Sequence, residues 1–189
     1  MIVLVLPNPS TDDALLDLAR AGDKGAIGDI YRQYVDSIYQ FCRLRLGDAQ
    51  AAEDITSSVF TTFIQALAKG KGPKYHLRAW LFKVARNSIY DTYGKQQTLP
   101  IETLEQWSDI DSIDPENQAF QAIDADILRQ TIKMLSPDQQ DILLLRFDQQ
   151  LSLRETADIL GKKVNTVKAL QFRAVNRLRD LLQPMGVMD

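Results

Sequence analysis

The segment Ser152 to Leu178, SLRETADILGKKVNTVKALQFRAVNRL, admits few folds. Ser152 and Glu155 stand in the S-x-x-E spacing of a capping box, where the two residues satisfy each other's free backbone N–H groups and start a helix. Ala157 is small where two helices must approach closely. Gly161 follows Leu160 where a helix commonly ends in a left-handed residue. A second helical run then carries Lys168, Arg173, Arg177 and Arg179. Helix, tight turn and basic helix make a helix-turn-helix, whose second helix enters the DNA major groove. On that reading Thr166, Lys168, Ala169, Phe172 and Arg173 project toward DNA, while Val167, Ala174 and Leu178 hold the helix to its domain. The competing reading is an ordinary helical hairpin with a basic face.

Bulk charge does not announce a nucleic-acid binder. The 189 residues carry a net charge of −3, which argues against general DNA coating. The charge is unevenly placed. Lys69 to Lys95 holds seven basic residues against the single acid Asp91, whereas Thr98 to Leu128 holds eight acids and neither Lys nor Arg. This pattern predicts a basic working surface and an acidic connector. Cys42 is the only cysteine, so no intrachain disulfide can form and a reducing compartment is expected. The opening MIVLVL is too short and lacks the basic start of a signal peptide or membrane span, so a cytoplasmic protein without membrane insertion is expected.

The dominant period is helical. Ile27, Ile30, Tyr31, Tyr34, Ile38, Phe41 and Cys42 mark one apolar face, and Ala52, Ile55, Val59, Phe60, Phe63 and Leu67 mark the next. Gly47-Asp48 separates the two runs, and Gly70, Gly72 and Pro73 end the second. A third helix is expected from about Leu77 to Tyr93, with Leu77, Leu81, Val84 and Ser88 on its core side. From Gly94 to about Glu116 the period fades, and Pro100 and Pro115 bracket an acidic stretch. Ser136-Pro137 is a helix start, Ser as cap and Pro in the first turn. The expectation is an all-α fold: a helical domain over 1–96, an acidic flexible linker over 97–116, and a helical domain over 117–189 containing the helix-turn-helix.

Two further clusters carry chemistry. Within KYHLRAWLFKVARNSIYDTY, Arg78, Phe82, Arg86, Tyr90 and Tyr93 fall at helical steps, alternating cation and ring, with Lys83 and Asn87 beside them. Rings that stack on bases and cations that track phosphates are how single strands are held. The alternative is a core made of Trp80 and Phe82 with a solvated basic face outside. In AEDITSSVF, Glu53 and Asp54 sit where acids suit the positive end of a helix dipole, which by itself accounts for them. His76 has no Cys or His neighbours and makes no zinc site. There is no glycine-rich phosphate loop and no nucleophile–base pair, so neither metal, cofactor nor catalysis is expected.

Together these stretches resemble a bacterial RNA polymerase sigma factor of the extracytoplasmic-function (ECF) group, over nearly the whole chain from about Asp12 to Leu182 and in the family's order. LRAWLFKVARNSIYDTY looks like the helix that melts and reads the −10 element, which implies DNA contacts at Arg78, Trp80, Phe82, Lys83, Arg86, Asn87 and Tyr90. AEDITSSVF resembles the helix that grips core polymerase, implying contacts at Glu53, Asp54, Ser57 and Phe60. LSPDQQDILLLRF and the helix-turn-helix resemble the domain that reads the −35 element, implying contacts at Thr166, Lys168, Ala169, Phe172, Arg173 and Arg177. The resemblance implies core polymerase, promoter DNA and an anti-sigma factor as partners.

Departures from the family pattern are visible. Ser57-Ser58 stand where Gln-Glu is common, Ala169, Leu170 and Val175 replace polar or basic positions, and Gln171 occupies a usually apolar one. Either the −35 sequence is unusual or Leu170 takes the missing core place. The alternatives are a stand-alone helix-turn-helix regulator, which leaves the cation–aromatic stripe idle, and a helical recombinase, which lacks its catalytic residues.

Overall fold

The computed structural model describes residues 9–93 and 125–185, and all of their regular structure is helical. The acidic connector and the MIVLVL segment lie outside the described residues. The chain divides into two compact units between Thr92 and Tyr93.

The first unit comprises α1 (Pro9–Arg20), α2 (Lys24–Leu46), α3 (Ala49–Ala68) and α4 (Leu77–Tyr93). Its corners follow from single residues. The Asp23 carboxylate accepts from the Ala26 N–H at 3.0 Å and starts α2. Gly47 ends α2 at φ 76°, a left-handed conformation that glycine adopts without steric cost. The next residue, Asp48, accepts from the Ala51 N–H at 2.7 Å and starts α3. Two adjacent residues thus reverse the chain and set α2 against α3. Asp12, itself buried, ties α1 to α2 by accepting from the Tyr34 hydroxyl and from Gln33 Nε2 at 2.7 Å. Burial and this bond to Asp12 push the Tyr34 hydroxyl well above the ordinary tyrosine range.

Leu16, Ile30, Ile38, Phe41, Val59, Phe63, Leu77, Leu81 and Phe82 are 2% exposed or less and form the core of this unit. The α4 helix joins it through rings: Phe82 meets Phe41 edge-to-face at 5.5 Å, and Trp80 lies tilted on Phe63 at 5.8 Å. The buried side of α4 consists of Leu77, Ala79, Leu81, Phe82, Ala85 and Ile89. Val84 and Ser88, expected on that side, are only half-buried, so the core face is rotated toward Phe82.

The second unit comprises α5 (Ala125–Lys133), α6 (Pro137–Leu143), a π-helical turn (Leu144–Asp148), α7 (Leu153–Leu160), α8 (Val164–Leu182) and a short 3₁₀ turn (Gln183–Met185). Ser136 caps α6 in a full capping box with Gln139. Gln140 Nε2 donates to the Leu135 carbonyl at 2.8 Å and so closes the junction of α5 and α6. Ile142, Leu144, Leu145, Leu151, Val167, Ala174 and Leu182 form the core, with α8 packed along α6.

Cys42 is fully buried, and loss of solvation pushes its thiol up to about 12. Alkylation of the folded chain at pH 8 should therefore run at least roughly a hundredfold slower than in denaturant, as mass spectrometry can follow; equal rates would contradict the placement. The folded state holds this proton more tightly than an ordinary thiol near 9, so its effect on stability is constant below pH 9. Stability is lost as pH rises from there toward 12. Phe82→Ala should cost ~3–5 kcal/mol in denaturant unfolding, as for a ring lost from a core. The exposed neighbour Lys83→Ala should stay within about 0.5 kcal/mol of the parent.

Candidate nucleic-acid and polymerase interfaces

The outward side of α4 is built from what the core leaves over. Lys83 and Asn87 are exposed, and Arg78, Trp80, Arg86 and Tyr90 are half-buried. Phe82 corrects the expected stripe: it is fully buried against Phe41 and has no face left for a base. The polar side of the helix therefore runs through Trp80, Lys83, Asn87 and Tyr90 rather than through Phe82. Arg86 lies over the Tyr90 ring at 4.5 Å, one helical turn apart. Arg45, from the last turn of α2, approaches the same ring at 5.8 Å. Two guanidinium groups around one half-buried ring make a cationic patch with an aromatic floor. Arg45 was not visible as a site residue in the sequence. It joins the patch only because α2 and α4 pack together, one turn beyond Phe41.

On α3, Glu53, Asp54 and Ser57 are exposed, with Ser58, Thr61 and Thr62 continuing the same polar strip. Phe60, expected at the polymerase, is 5% exposed and packs edge-to-face on Tyr31 of α2 at 4.8 Å, so it supports this strip from below. Tyr31 itself is 48% exposed, and Ile64, one turn after Phe60, is 50% exposed.

The helix-turn-helix forms as its sequence signals require. The Ser152 hydroxyl accepts from the Glu155 N–H at 3.2 Å, and the Glu155 carboxylate accepts from the Ser152 N–H at 2.8 Å. Gly161 ends α7 at φ 63°, and the Lys162 N–H reaches back to the Ala157 carbonyl at 3.0 Å. Lys162 also bridges to Asp138 at 3.1 Å, tying the turn to the start of α6. On α8, Val167, Ala174 and Leu178 are buried as expected, together with Val175. Arg173 and Arg177 are exposed, and Thr166, Lys168, Ala169 and Phe172 are half-exposed beside them.

The irregular position in this helix resolves in a specific way. Gln171 points inward and is 7% exposed, and its carbonyl accepts from Arg146 Nε at 2.9 Å. Leu170 does not take a core place; it remains half-buried. Leaving such a buried amide without a partner would cost about 1–3 kcal/mol, which the guanidinium offsets. Arg146 also donates to the Leu151 carbonyl. Sequence reasoning found Gln171 as an irregularity but missed Arg146. A buried amide announces that a partner exists, not which one. Among the described residues, no group of His, Cys, Asp and Glu is arranged to hold a metal ion.

Comparison with known proteins agrees with this geometry. Residues 30–98 match the model of Sigma-70 region 2, and residues 131–180 match that of Sigma-70, region 4. The two take up well over half of the chain. The ECF RNA polymerase sigma factor BldN of Streptomyces coelicolor is 35% identical over 89% of this chain; the match spans 64% of that relative's length. The fold is also that of CnrH, solved in complex with the cytosolic domain of CnrY. That likeness has a TM-score of 0.69 and 21% identity, covering 92% of this chain and 97% of that one. Sigma factor RpoE from Bartonella quintana, solved with the anti-sigma factor NepR, matches with a TM-score of 0.58 and 23% identity, covering 82% and 96%. Two sigma-70 regions in order, on two helical units with the expected helix-turn-helix in the second, place this chain in the sigma-70 family.

Proposed function

We propose that this chain binds core RNA polymerase and directs it to promoters, with residues 1–96 reading and melting the −10 element and residues 117–189 reading the −35 element across the acidic linker 97–116. One observation carries the reading. A single chain presents two different surfaces: a cationic helix with half-buried rings, of the kind suited to single strands, and a helix-turn-helix, of the kind suited to duplex. A stand-alone regulator has no use for the first.

The division of labour follows from energetics. Opening a duplex costs ~1.4 kcal/mol per base-pair step in lost stacking. Stacking of a base on an aromatic ring returns ~1–3 kcal/mol. On this reading Trp80 and Tyr90 offer ring surface, Arg78, Lys83 and Arg86 follow the phosphates, and Asn87 meets a base edge. On α8, Lys168, Arg173 and Arg177 supply cations to the −35 duplex, and Thr166, Ala169 and Phe172 line the groove. Glu53, Asp54 and Ser57 face the polymerase. The second unit is nearly balanced in charge, eight basic against six acidic residues from Ser136 to Gln183. Affinity of either unit alone is then modest, and polymerase raises it by holding both on one promoter. The factor positions and melts without itself catalysing a reaction. It works where polymerase works, in the cytoplasm, and among the described residues no helix is long and apolar enough to cross a membrane. An anti-sigma factor is a further expected partner, as in the RpoE complex from Bartonella quintana.

Run-off transcription with purified core polymerase and genomic fragments tests the reading: added protein should create new start sites. Absence of any new start site from inhibitor-free protein refutes it, and tight sequence-specific duplex binding without polymerase would favour the stand-alone regulator. Trp80→Ala, Arg86→Ala and Tyr90→Ala should each lower permanganate reactivity of the opened strand by about tenfold while leaving polymerase binding within about twofold, given the stacking energies involved. Equal losses in the two measurements would remove these residues from the −10 surface.

A further inference from the structure

The interior of the second unit contains a polar connection that the reading above does not use. Gln171 lies midway along α8, on the same inward face as Val167, Ala174, Val175 and Leu178, all of them buried. Its partner Arg146 stands in the π-helical turn Leu144–Asp148. From there Arg146 serves two elements at once. Its Nε donates to Gln171 on the recognition helix at 2.9 Å, and its Nη1 donates to the Leu151 carbonyl, directly before the Ser152 cap of α7. One guanidinium therefore links the π-turn, the entry to the helix-turn-helix and the helix that faces DNA.

The backbone around this link is irregular. The Gln149 N–H bonds the Leu144 carbonyl and the Leu151 N–H bonds the Leu145 carbonyl, each at 2.9 Å, longer-range pairings than an α-helix uses. Gln150 between them is held at φ 53°, a left-handed conformation that a non-glycine residue adopts only when its surroundings require it. Arg146 grips the residue that follows. The strained loop and the buried amide thus converge on one side chain.

We propose that Arg146 and Gln171 are positioning residues that set the rotation of α8 about its axis and thereby its −35 discrimination; this rests on the reading of α8 as the −35 helix. Apolar contacts along the buried face tolerate small rotations, because the hydrophobic effect has no direction. A paired guanidinium and amide do not, since a hydrogen bond weakens steeply with misalignment. Side chains reach about 5–6 Å from a helix axis, so a rotation of ~10° moves Lys168, Phe172 or Arg173 by about 1 Å. Contacts to base edges depend on such alignment, whereas contacts to phosphate forgive it. The pair therefore governs which bases are preferred more than how tightly DNA is held.

The test uses the full chain with core polymerase on promoters sharing one −10 element and differing singly in the −35 element. The readout is the ratio of initiation on the preferred −35 sequence to that on each substituted one. Gln171→Leu and Gln171→Met remove the acceptor at similar volume and should lower that ratio by about five- to tenfold. Gln171→Glu keeps an acceptor for Arg146 and should hold the ratio within about twofold. Arg146→Met should reproduce the loss, and adding Gln171→Leu to it should cause little further loss, because both act through one bond. If Gln171→Leu does not fold, Gln171→Met and Gln171→Glu decide the matter between them. An unchanged ratio in Gln171→Met or Gln171→Leu overturns the proposal. So does a uniform loss of initiation on every −35 sequence in step with a lowered thermal midpoint, which is what a merely structural role would produce. A wild-type chain that directs no initiation at all overturns the underlying function as well; a selective wild-type beside equally selective variants overturns the pair alone.

Discussion

The first unit depends on how α4 is docked. Seventeen residues, Leu77–Tyr93, must both complete a core and present a surface. The edge-to-face contact of Phe82 on Phe41, with Leu77, Leu81, Ala85 and Ile89 buried around it, settles the rotation of the helix. Every other position on α4 takes its role from that rotation. Lys83 and Asn87 are turned outward, and Trp80, Arg86 and Tyr90 are left at the rim. The rim is a useful place for an aromatic ring. A ring resting partly on Phe63, as Trp80 does, is held in orientation by the core while still offering apolar area to a ligand. A fully exposed ring would lose rotamer entropy on binding, and a fully buried one, such as Phe82, could offer nothing.

Much of the fold was legible because it rests on local chemistry. Asp23, Asp48, Ser136 and Ser152 each bond a nearby backbone N–H, and Gly47 and Gly161 each take up a left-handed turn. Such signals act within four residues, so a sequence displays them directly. The apolar periods of α2 and α3 are equally local. Which face of α4 is buried was not legible. Arg78, Phe82, Arg86 and Tyr90 share a face by spacing, and spacing alone cannot tell whether a phenylalanine there meets a base or Phe41. The same uncertainty attached to Phe60, whose partner Tyr31 lies on another helix. Arg45 and Arg146 acquire their roles only through contacts between elements far apart in sequence, and nothing adjacent to them signals it. The π-helical turn that aims Arg146 leaves no mark in the local pattern either.

The second unit handles the same conflict between packing and presentation differently. In the first, an aromatic pair decides which side of the helix faces inward; in the second, the inward face of α8 includes an amide. Val167, Ala174 and Leu178 fix that α8 packs against α6, but small and smooth side chains define its rotation loosely. The Gln171 amide adds a directional constraint where the helix would otherwise be held only by shape. Its burial is tolerable because the donor is a guanidinium, whose charge-assisted bonds are stronger than those between neutral groups. An apolar residue at position 171 would remove the desolvation cost and with it the constraint. A buried polar link between two elements therefore contributes little net stability while restricting geometry, and geometry is what base recognition depends on. On the proposed reading of α8, phosphate attraction in a unit whose charges nearly cancel cannot compensate for a misplaced helix. Accuracy in the placement of α8 then matters more than it would on a strongly basic surface, and a hydrogen-bonded strut in the core is a physical means of securing it.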